Sequence, residues 1–164
     1  MKTQKIFFCI ILALSLLLCS CAKKAEYADG VSCEDIAAYL SKTELDDDEY
    51  AEYDREYFEY FFPDAKVPED FKIIYSTDTG DIDEIGIFHT NSEAEANELS
   101  SATEAYIEEM RETQRAFIAS YAPEELPKLD SAEVRTFGNY VVYAITDEDD
   151  KADIFLAVDN TLKK

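Results

Sequence analysis

The sequence has no tryptophan and one histidine, His89, and both shortages limit what the chain can do. A catalytic triad or a Cys–His pair would have to use this imidazole, and no glycine-flanked serine or cysteine stands out as its nucleophile. We therefore expect His89 to be structural. The lack of tryptophan also weakens the case for a sugar-stacking platform. The sequence favours a non-catalytic protein, with an envelope hydrolase as the second alternative.

Glycine and basic residues are also scarce, and each shortage excludes a class of protein. Four glycines in 164 residues leave no phosphate-cradling loop, so no nucleotide or other cofactor is predicted. Lysine and arginine total 15 against 37 acidic residues, which gives a net charge of −22. Nucleic-acid binding is excluded because it needs clustered Lys and Arg. Hydrophobic residues make up 47% of the chain, which predicts a folded domain with an acidic, solvated surface.

The N-terminus has the pattern of an export signal. A basic start, Met1 to Lys5, precedes the apolar run Ile6 to Leu18. That run is shorter than the roughly 20 residues of a membrane span, and it matches a secretory signal. The exit sequence "LCSC" resembles the bacterial lipoprotein signal, with Leu18 three residues before Cys21 and the small Ser20 directly before it. The resemblance implies cleavage between Ser20 and Cys21.

By the same resemblance, the Cys21 thiol carries a diacylglyceryl group with acyl chains such as palmitate. Cys19 is the poorer candidate because the bulky Leu18 precedes it, and an ordinary secretory signal without lipid stays open as the alternative. We therefore predict a signal peptide over 1–20, a lipidated tether over 21–31 and one domain over 32–164. The predicted location is the extracytoplasmic face of the cell membrane, where two acyl chains anchor a protein stably.

This assignment predicts the chemical state of each cysteine. Cys9 and Cys19 leave with the signal and Cys21 is lipidated, so Cys33 is the cysteine that remains and no intrachain disulfide is predicted. A zinc site would need several Cys or His ligands, which the mature chain lacks. Cys33 shares a helical face with Ile36 and Leu40, so we expect a buried, inert thiol.

The apolar periodicity predicts an α+β domain with the order α-α-β-β-α-β-β-α. Two hairpins would form a four-stranded antiparallel sheet, with the helices packed on one face. Capping patterns begin the first and third helices, Pro63 ends the second, and the Gly138-Asn139 pair turns the second hairpin. The predicted helices cover 32–42, 46–62, 92–121 and 147–164, and the predicted strands cover 71–75, 85–89, 132–137 and 140–146.

Aromatic residues at helical spacing are predicted to face the core. One stripe lies in the second helix and the other ends the third. Their aromatic members are Tyr50, Tyr53, Tyr57, Tyr60 or Phe61, and Tyr106, Phe117 and Tyr121.

The segment "QRAFIASYAPEELPKLDSAEVRTFGNYVVYAIT" resembles the family called domain of unknown function 4358, small lipoproteins of Gram-positive bacteria. The likeness is strongest over 114–146 and extends more loosely over 33–160. It implies the lipid anchor and a single α+β domain, and it carries no activity. The matching positions are Gln114, Tyr121, Pro123, Leu129, Val134, Gly138, Tyr140 and Val141.

Three acidic clusters are candidates for a divalent cation: Leu45 to Glu49, Asp78 to Glu84 and Asp147 to Asp150. None has the spacing of an EF-hand loop. Asp147, Asp149 and Asp150 are the metal candidates, although acids there are equally explained as the start of the last helix. Weak calcium binding or sensing is therefore the first alternative function.

Taken together, these patterns predict a membrane-anchored binding or interaction module at the cell envelope. Its expected partners are the membrane, through the lipid, and an envelope protein. The sequence specifies no oligomeric state.

Overall fold

The structure, a computed structural model, describes residues 26–43 and 50–164. The predicted signal peptide, the Ser20–Cys21 cleavage site with the lipidated Cys21, and the acidic run Leu45 to Glu49 lie outside the described residues. Within those residues, no helix combines the length and the hydropathy of a membrane span.

The described residues form an α+β fold on one antiparallel sheet of five strands, in the spatial order β1-β2-β3-β5-β4. The prediction of an antiparallel sheet is confirmed, and the prediction of four strands is wrong. The strands are β1 (Tyr50–Glu52), β2 (Asp70–Ser76), β3 (Glu84–His89), β4 (Glu133–Phe137) and β5 (Tyr140–Ile145).

Six α-helices accompany the sheet in the described part of the chain. The element order is α1-β1-α2-β2-β3-α3-α4-α5-β4-β5-α6, so the predicted order is wrong. A short 3-10 turn, Pro123–Glu125, precedes α5. The helices are α1 (Cys33–Thr43), α2 (Glu56–Phe61), α3 (Glu93–Thr113), α4 (Arg115–Tyr121), α5 (Leu126–Asp130) and α6 (Glu148–Leu162).

Both hairpins and both helix caps follow the local sequence. Gly138 adopts the positive φ of 63° that the tight turn between β4 and β5 requires. The Ser32 hydroxyl accepts from the Asp35 backbone N–H at 3.0 Å, and the Ser92 hydroxyl accepts from that of Glu95 at 3.2 Å. These short-range signals succeed because neighbouring residues alone satisfy them.

Two predicted helices are wrong in part. Residues 50–52 of the predicted 46–62 helix form the edge strand β1, paired with Ile74 to Ser76, and only α2 is helical in 50–62. Here pairing with a neighbouring strand outweighs helical propensity. The predicted 92–121 helix is divided at Gln114 into α3 and α4, each with its own backbone hydrogen-bond series.

Helices cover both faces of the sheet, so the prediction of one covered face is also wrong. Alternate residues of a strand point to opposite faces. Val142 and Ala144 of β5 pack with α1 and α6, and we call this side the aliphatic face. Val141 and Tyr143 pack with α2 and α3, and we call this side the aromatic face.

The N-terminal segment from Glu26 to Val31 lies against the domain. The Ala28 N–H donates to the Leu162 carbonyl at 2.6 Å, and the Lys164 N–H donates to the Glu26 carbonyl at 3.0 Å. The Val31 N–H donates to the Tyr140 hydroxyl at 3.1 Å. The last six residues of the predicted tether therefore contact the folded domain.

Candidate ligand-binding site

The lone histidine lies at the end of β3, beside the N-terminal segment. Its Nε2 is 2.8 Å from Asp29 Oδ1, and its ring stacks on Tyr140 with centroids 4.3 Å apart. These partners hold the segment in place and match the expected structural role of His89.

Cys33 is buried and free, as predicted. Burial, reinforced by the negative charge of Asp70, raises the pKa of its thiol far above the usual range. Because the thiolate is the reactive form, Cys33 is inert at neutral pH.

The predicted metal candidates Asp147, Asp149 and Asp150 lie at the start of α6. Asp147 immediately precedes the helix, where acidic side chains suit the positive end of the helix dipole. Their carboxylates do not form a group with the closeness of metal ligands; within the described ranges, the group of that kind is Asp81, Asp83 and Glu125.

A lysine ammonium already occupies that group. Lys128 Nζ lies 2.8 Å from Asp81 Oδ1, 2.8 Å from Asp83 Oδ1 and 2.9 Å from Glu125 Oε2. Burial acts to lower the pKa of Lys128, but the hydrogen bonds to the three carboxylates outweigh it and raise that pKa. The cluster is therefore an internal ion-pair network in which the protein supplies its own cation.

Asp81 and Asp83 of this network also line a cleft of about 270 Å³ at the end of the aromatic face. The residue that follows β1, the facing ends of β2 and β3, and the helices α3 and α4 also contribute to it. We call it the aromatic–acidic cleft and define it by Tyr53, Tyr75, Glu84, Met110, Phe117 and Ile118.

Aromatic rings form its walls and surroundings. The rings of Tyr53 and Tyr75 stack with centroids 4.1 Å apart, and Phe117 packs on Tyr121 at 4.6 Å. Phe117 is 60% exposed and Tyr121 76% exposed, so the prediction that they face the core is wrong. The predicted helix is divided at Gln114, and Ile118 is the buried residue of α4.

The prediction for the first aromatic stripe is confirmed in part, because Tyr53 and Phe61 are half-buried and pack against the aromatic face. Tyr57 and Tyr60 of α2 are exposed, whereas their neighbours Phe58 and Phe62 are buried. The buried pair packs on the sheet through Phe88. Of the six large hydrophobic side chains exposed in the described residues, four belong to α2 and α4. The list is Tyr39, Tyr57, Tyr60, Phe117, Tyr121 and Leu156.

Glu84 provides a buried carboxylate in the cleft wall. Its side chain is 5% exposed, and its Oε1 accepts from the Tyr143 hydroxyl at 2.6 Å and from the Tyr106 hydroxyl at 2.9 Å. Burial raises the pKa of Glu84, while the two phenol hydrogen bonds oppose that rise. Both hydroxyls bind the same oxygen, so Oε2 is left out of this pair of bonds.

Gly86 allows this arrangement. The Tyr143 ring lies directly over it, and a Cβ at position 86 would fall 1.9 Å from Tyr143 Cε1. The ring can therefore cross the neighbouring strand and place its hydroxyl on Glu84. Burial and the negative charge of Glu84 also raise the pKa of Tyr53 to about 12.

The sequence places Glu84 in the acidic cluster Asp78 to Glu84, a candidate for a divalent cation, and does not predict that it is buried. A signal was present, because strand alternation places Glu84 on the same face as Gly86 and the apolar Phe88. The position of Lys128 had no comparable signal, because Asp81 and Asp83 lie far from it in sequence and only Glu125, three residues before it, is a local partner.

A comparison with known proteins bears on this region. The family described as Domain of unknown function (DUF4358) matches residues 43–146, more than half of the chain. The chain belongs to this family. No curated protein and no solved structure matches it.

The DUF4358 match contains the whole sheet and every residue that defines the aromatic–acidic cleft. It excludes α6 and all of α1 except its last residue, which are the helices of the aliphatic face. The match is narrower than the predicted 33–160 and includes the predicted 114–146 segment.

A second, smaller cleft of about 180 Å³ lies between the loop 64–69 that follows α2 and the first half of α3. Its lysine is already paired: Lys66 Nζ lies 2.9 Å from Glu95 Oε1, and Glu95 Oε2 accepts from the Asn91 N–H at 3.1 Å. The aromatic–acidic cleft is the better candidate because it combines exposed rings with a buried carboxylate.

Proposed function

We propose that this protein is a lipid-anchored, extracytoplasmic binding module whose ligand site is the aromatic–acidic cleft. The observation that carries the proposal is the exposure of Phe117 at a cleft whose wall contains the buried Glu84 carboxylate. Exposed rings beside a desolvated charge are costly in a domain that binds nothing, and both are frequent in binding sites.

The anchor part of the proposal rests on the "LCSC" exit sequence and on lipidation of Cys21. Four residues, 22–25, separate Cys21 from the docked Glu26, and a chain of that length reaches at most about 17 Å. This short connection would hold one end of the domain close to the membrane.

The cleft lies at the other end of the sheet. Strand β3 runs from Glu84, at the cleft, to His89, which contacts the docked segment through Asp29. Six residues of antiparallel strand span about 17 Å. An anchored domain would therefore present its cleft away from the membrane, toward the envelope, where an envelope protein or other ligand can enter.

A non-catalytic role fits the same geometry better than a hydrolase. The one imidazole of the chain is at the anchored end, and its partners are Asp29 and Tyr140. A histidine-based mechanism at the cleft would need this group at the opposite end of β3.

Calcium sensing has less support than binding of an envelope ligand. The three carboxylates that converge are already paired with the Lys128 ammonium. A calcium ion, which takes 6 to about 8 oxygen ligands, would have to displace that ammonium first.

The test of the binding site compares two exposed apolar residues in the full-length lipidated protein. A mixture of soluble cell-wall fragments serves as the probe. We expect Phe117→Ala to reduce binding about tenfold. Leu156→Ala, which truncates a 56% exposed residue on α6, is the matched control and should bind like the native protein. Equal binding by all three proteins would reject the cleft as the site.

The anchor is tested separately by membrane fractionation. The native protein should fractionate with membranes and carry a lipidated N-terminal cysteine in mass spectrometry. Cys21→Ala should abolish both. An unmodified N-terminus in the native protein, or unchanged fractionation of the variant, would contradict the anchor.

A further inference from the structure

We propose that the aromatic–acidic cleft recognises an organic ammonium group, on a primary or alkylated amine. The inference rests on the proposed function, because it names the ligand class of the same site. Three features support it: the Glu84 carboxylate, the rings that line the cleft, and the charge of the surroundings.

The carboxylate is prepared for a cationic partner. Two phenols, Tyr106 and Tyr143, bind Oε1 and fix the orientation of the Glu84 side chain. An ammonium group that approaches Oε2 would form a charge-assisted hydrogen bond in a desolvated environment, where such bonds are strongest. It would also compensate the cost of burying the negative charge, which the phenols alone offset only in part.

The rings suit the same group. Tyr53, Tyr75 and Phe117 line the cleft that Glu84 closes. The negative potential of aromatic ring faces attracts ammonium groups, and cages of several rings bind alkylated amines. Met110 and Ile118 provide apolar surface for the aliphatic chain that carries the charge.

The charged residues around the cleft disfavour an anionic ligand. Asp81, Asp83 and Glu125 share the single Lys128 ammonium beside the cleft, so this network retains negative charge. With the chain at −22 overall, anionic ligands would be repelled and cationic ones attracted. Lys128 also demonstrates, a short distance away, that carboxylates of this protein hold an ammonium group at 2.8 to 2.9 Å.

A divalent metal fits the cleft less well. Calcium and magnesium need several converging oxygen atoms. Of the three carboxylates that line the cleft, Asp81 and Asp83 are already paired with the Lys128 ammonium, which leaves Glu84. An uncharged sugar would stack on the rings but would leave the Glu84 charge without compensation. We therefore treat neutral ligands as an outcome of the test.

The test measures binding of small amines to the full-length lipidated protein in detergent, by calorimetry. The probes are cadaverine, choline and Nα-acetyllysine amide, which represent a polyamine, a quaternary amine and a lysine side chain. The neutral counterpart is the same lysine amide acetylated at Nε. We expect at least one amine to bind, and the neutral counterpart to bind about tenfold more weakly.

Two variants test whether the amines bind in the cleft. Glu84→Gln keeps an acceptor for both phenols and removes the charge, so amine affinity should fall about tenfold. Phe117→Ala changes an exposed ring and should reduce affinity without unfolding the protein. Leu156→Ala should bind amines like the native protein, and circular dichroism confirms that each variant is folded.

The outcomes separate this inference from the proposed function. If the neutral counterpart binds as well as the amine, or if no amine binds, the ammonium inference is overturned. If wall fragments nevertheless bind and lose affinity in Phe117→Ala, the cleft remains a binding site for a neutral ligand. If Phe117→Ala affects neither the amines nor the wall fragments, both proposals fail.

Discussion

The two faces of the sheet are built from the same strands and differ in what they bury. The aliphatic face packs Ile85, Ile87 and Val142 against α1 and α6, and its core residues are closed off from solvent. The aromatic face packs rings such as Phe88 and Tyr143, and it also contains the buried Glu84. Only this second face ends in a cleft lined with exposed rings, among the clefts described above.

The difference separates stability from recognition. Branched aliphatic side chains fill space without polar atoms, so the aliphatic face contributes stability and makes no demand for partners. A buried carboxylate needs hydrogen bonds or a counter-charge, and an exposed ring gains from being covered. The DUF4358 match covers the strands and the aromatic face but omits almost all of the two helices on the aliphatic face. The first two predictions below therefore concern the stability of the fold, and the later ones concern the packing and the protonation of Glu84.

The largest effect is expected from Lys128→Met, beside the cleft. The substitution leaves Asp81, Asp83 and Glu125 close together without their counter-charge. Removal of one partner from a buried ion pair typically costs about 3–5 kcal/mol, and we expect a loss in that range in the free energy of unfolding. Urea denaturation at neutral pH measures it. Millimolar calcium should restore part of the loss in the variant and leave the native protein unchanged.

Lys66→Met is the matched control for that experiment. The distance between Lys66 Nζ and Glu95 Oε1, 2.9 Å, is similar to the distances at Lys128, but the Lys66 side chain is 73% exposed. We expect a much smaller loss for Lys66→Met, because solvent screens an exposed pair of this kind. Equal losses in the two variants would show that the Lys128 network is no more important than a surface pair. A calcium-dependent rise in the stability of the native protein would instead revive the calcium alternative.

The second effect is on the aliphatic face, at Leu40. This side chain of α1 is fully buried, and Leu40→Ala should lower the free energy of unfolding by about 3 kcal/mol through lost burial and the cavity it leaves. Ligand affinity at the cleft should not change in the folded variant. A loss of affinity that accompanies the loss of stability would break the separation between the two faces.

Local sequence patterns predicted the parts of the fold that depend on neighbouring residues. The Gly138 turn, the strand predicted over 71–75 and the Ser92 cap each depend on a few neighbouring residues, and each is confirmed. The buried, inert Cys33 followed in the same way from its helical face.

Long-range pairing explains what the sequence did not reveal. Residues 50–52 share the helical spacing of the aromatic stripe, yet they form a strand because β2 offers them backbone partners. The predicted single helix to Tyr121 implied a continuous core stripe, but the helix is divided at Gln114 and Phe117 lies outside the core. Lys128 of α5 contacts Asp81, which lies 47 positions earlier in the sequence. No periodicity in the sequence indicates a contact over that separation.

A smaller effect is expected at Gly86, because the packing of the aromatic face requires a residue without a Cβ at this position. Gly86→Ala places a methyl group 1.9 Å from the Tyr143 ring, so the ring must move away from Glu84. Overpacking of this kind costs about 1–3 kcal/mol. Thermal denaturation should show the loss, and Gly86→Ala combined with Tyr143→Leu should recover part of it. No loss in the single variant would mean that the ring moves freely, and that Tyr143 does not fix the carboxylate.

The smallest effect, and the most specific to the comparison, is the pH dependence from Glu84. Burial raises its pKa above the ordinary value of 4.5, so the folded state holds the proton more tightly than the unfolded state. The resulting contribution to stability is fully present below pH 4.5 and is lost as the pH rises through the folded-state pKa. The stability of the native protein minus that of Glu84→Gln should therefore fall as the pH increases above 4.5.

Glu133, on β4, serves as a control because its pKa is shifted in the opposite direction. A hydrogen bond from Arg135 lowers the pKa of Glu133 below its ordinary value of 4.5. Its contribution is present above pH 4.5 and is lost as the pH falls through the folded-state pKa. Urea denaturation of Glu84→Gln and Glu133→Gln, each compared with the native protein at several pH values, measures the two slopes. Slopes of the same sign would mean that the Glu84 carboxylate is solvated, and the aromatic face would then lose the buried charge that distinguishes it from the aliphatic face.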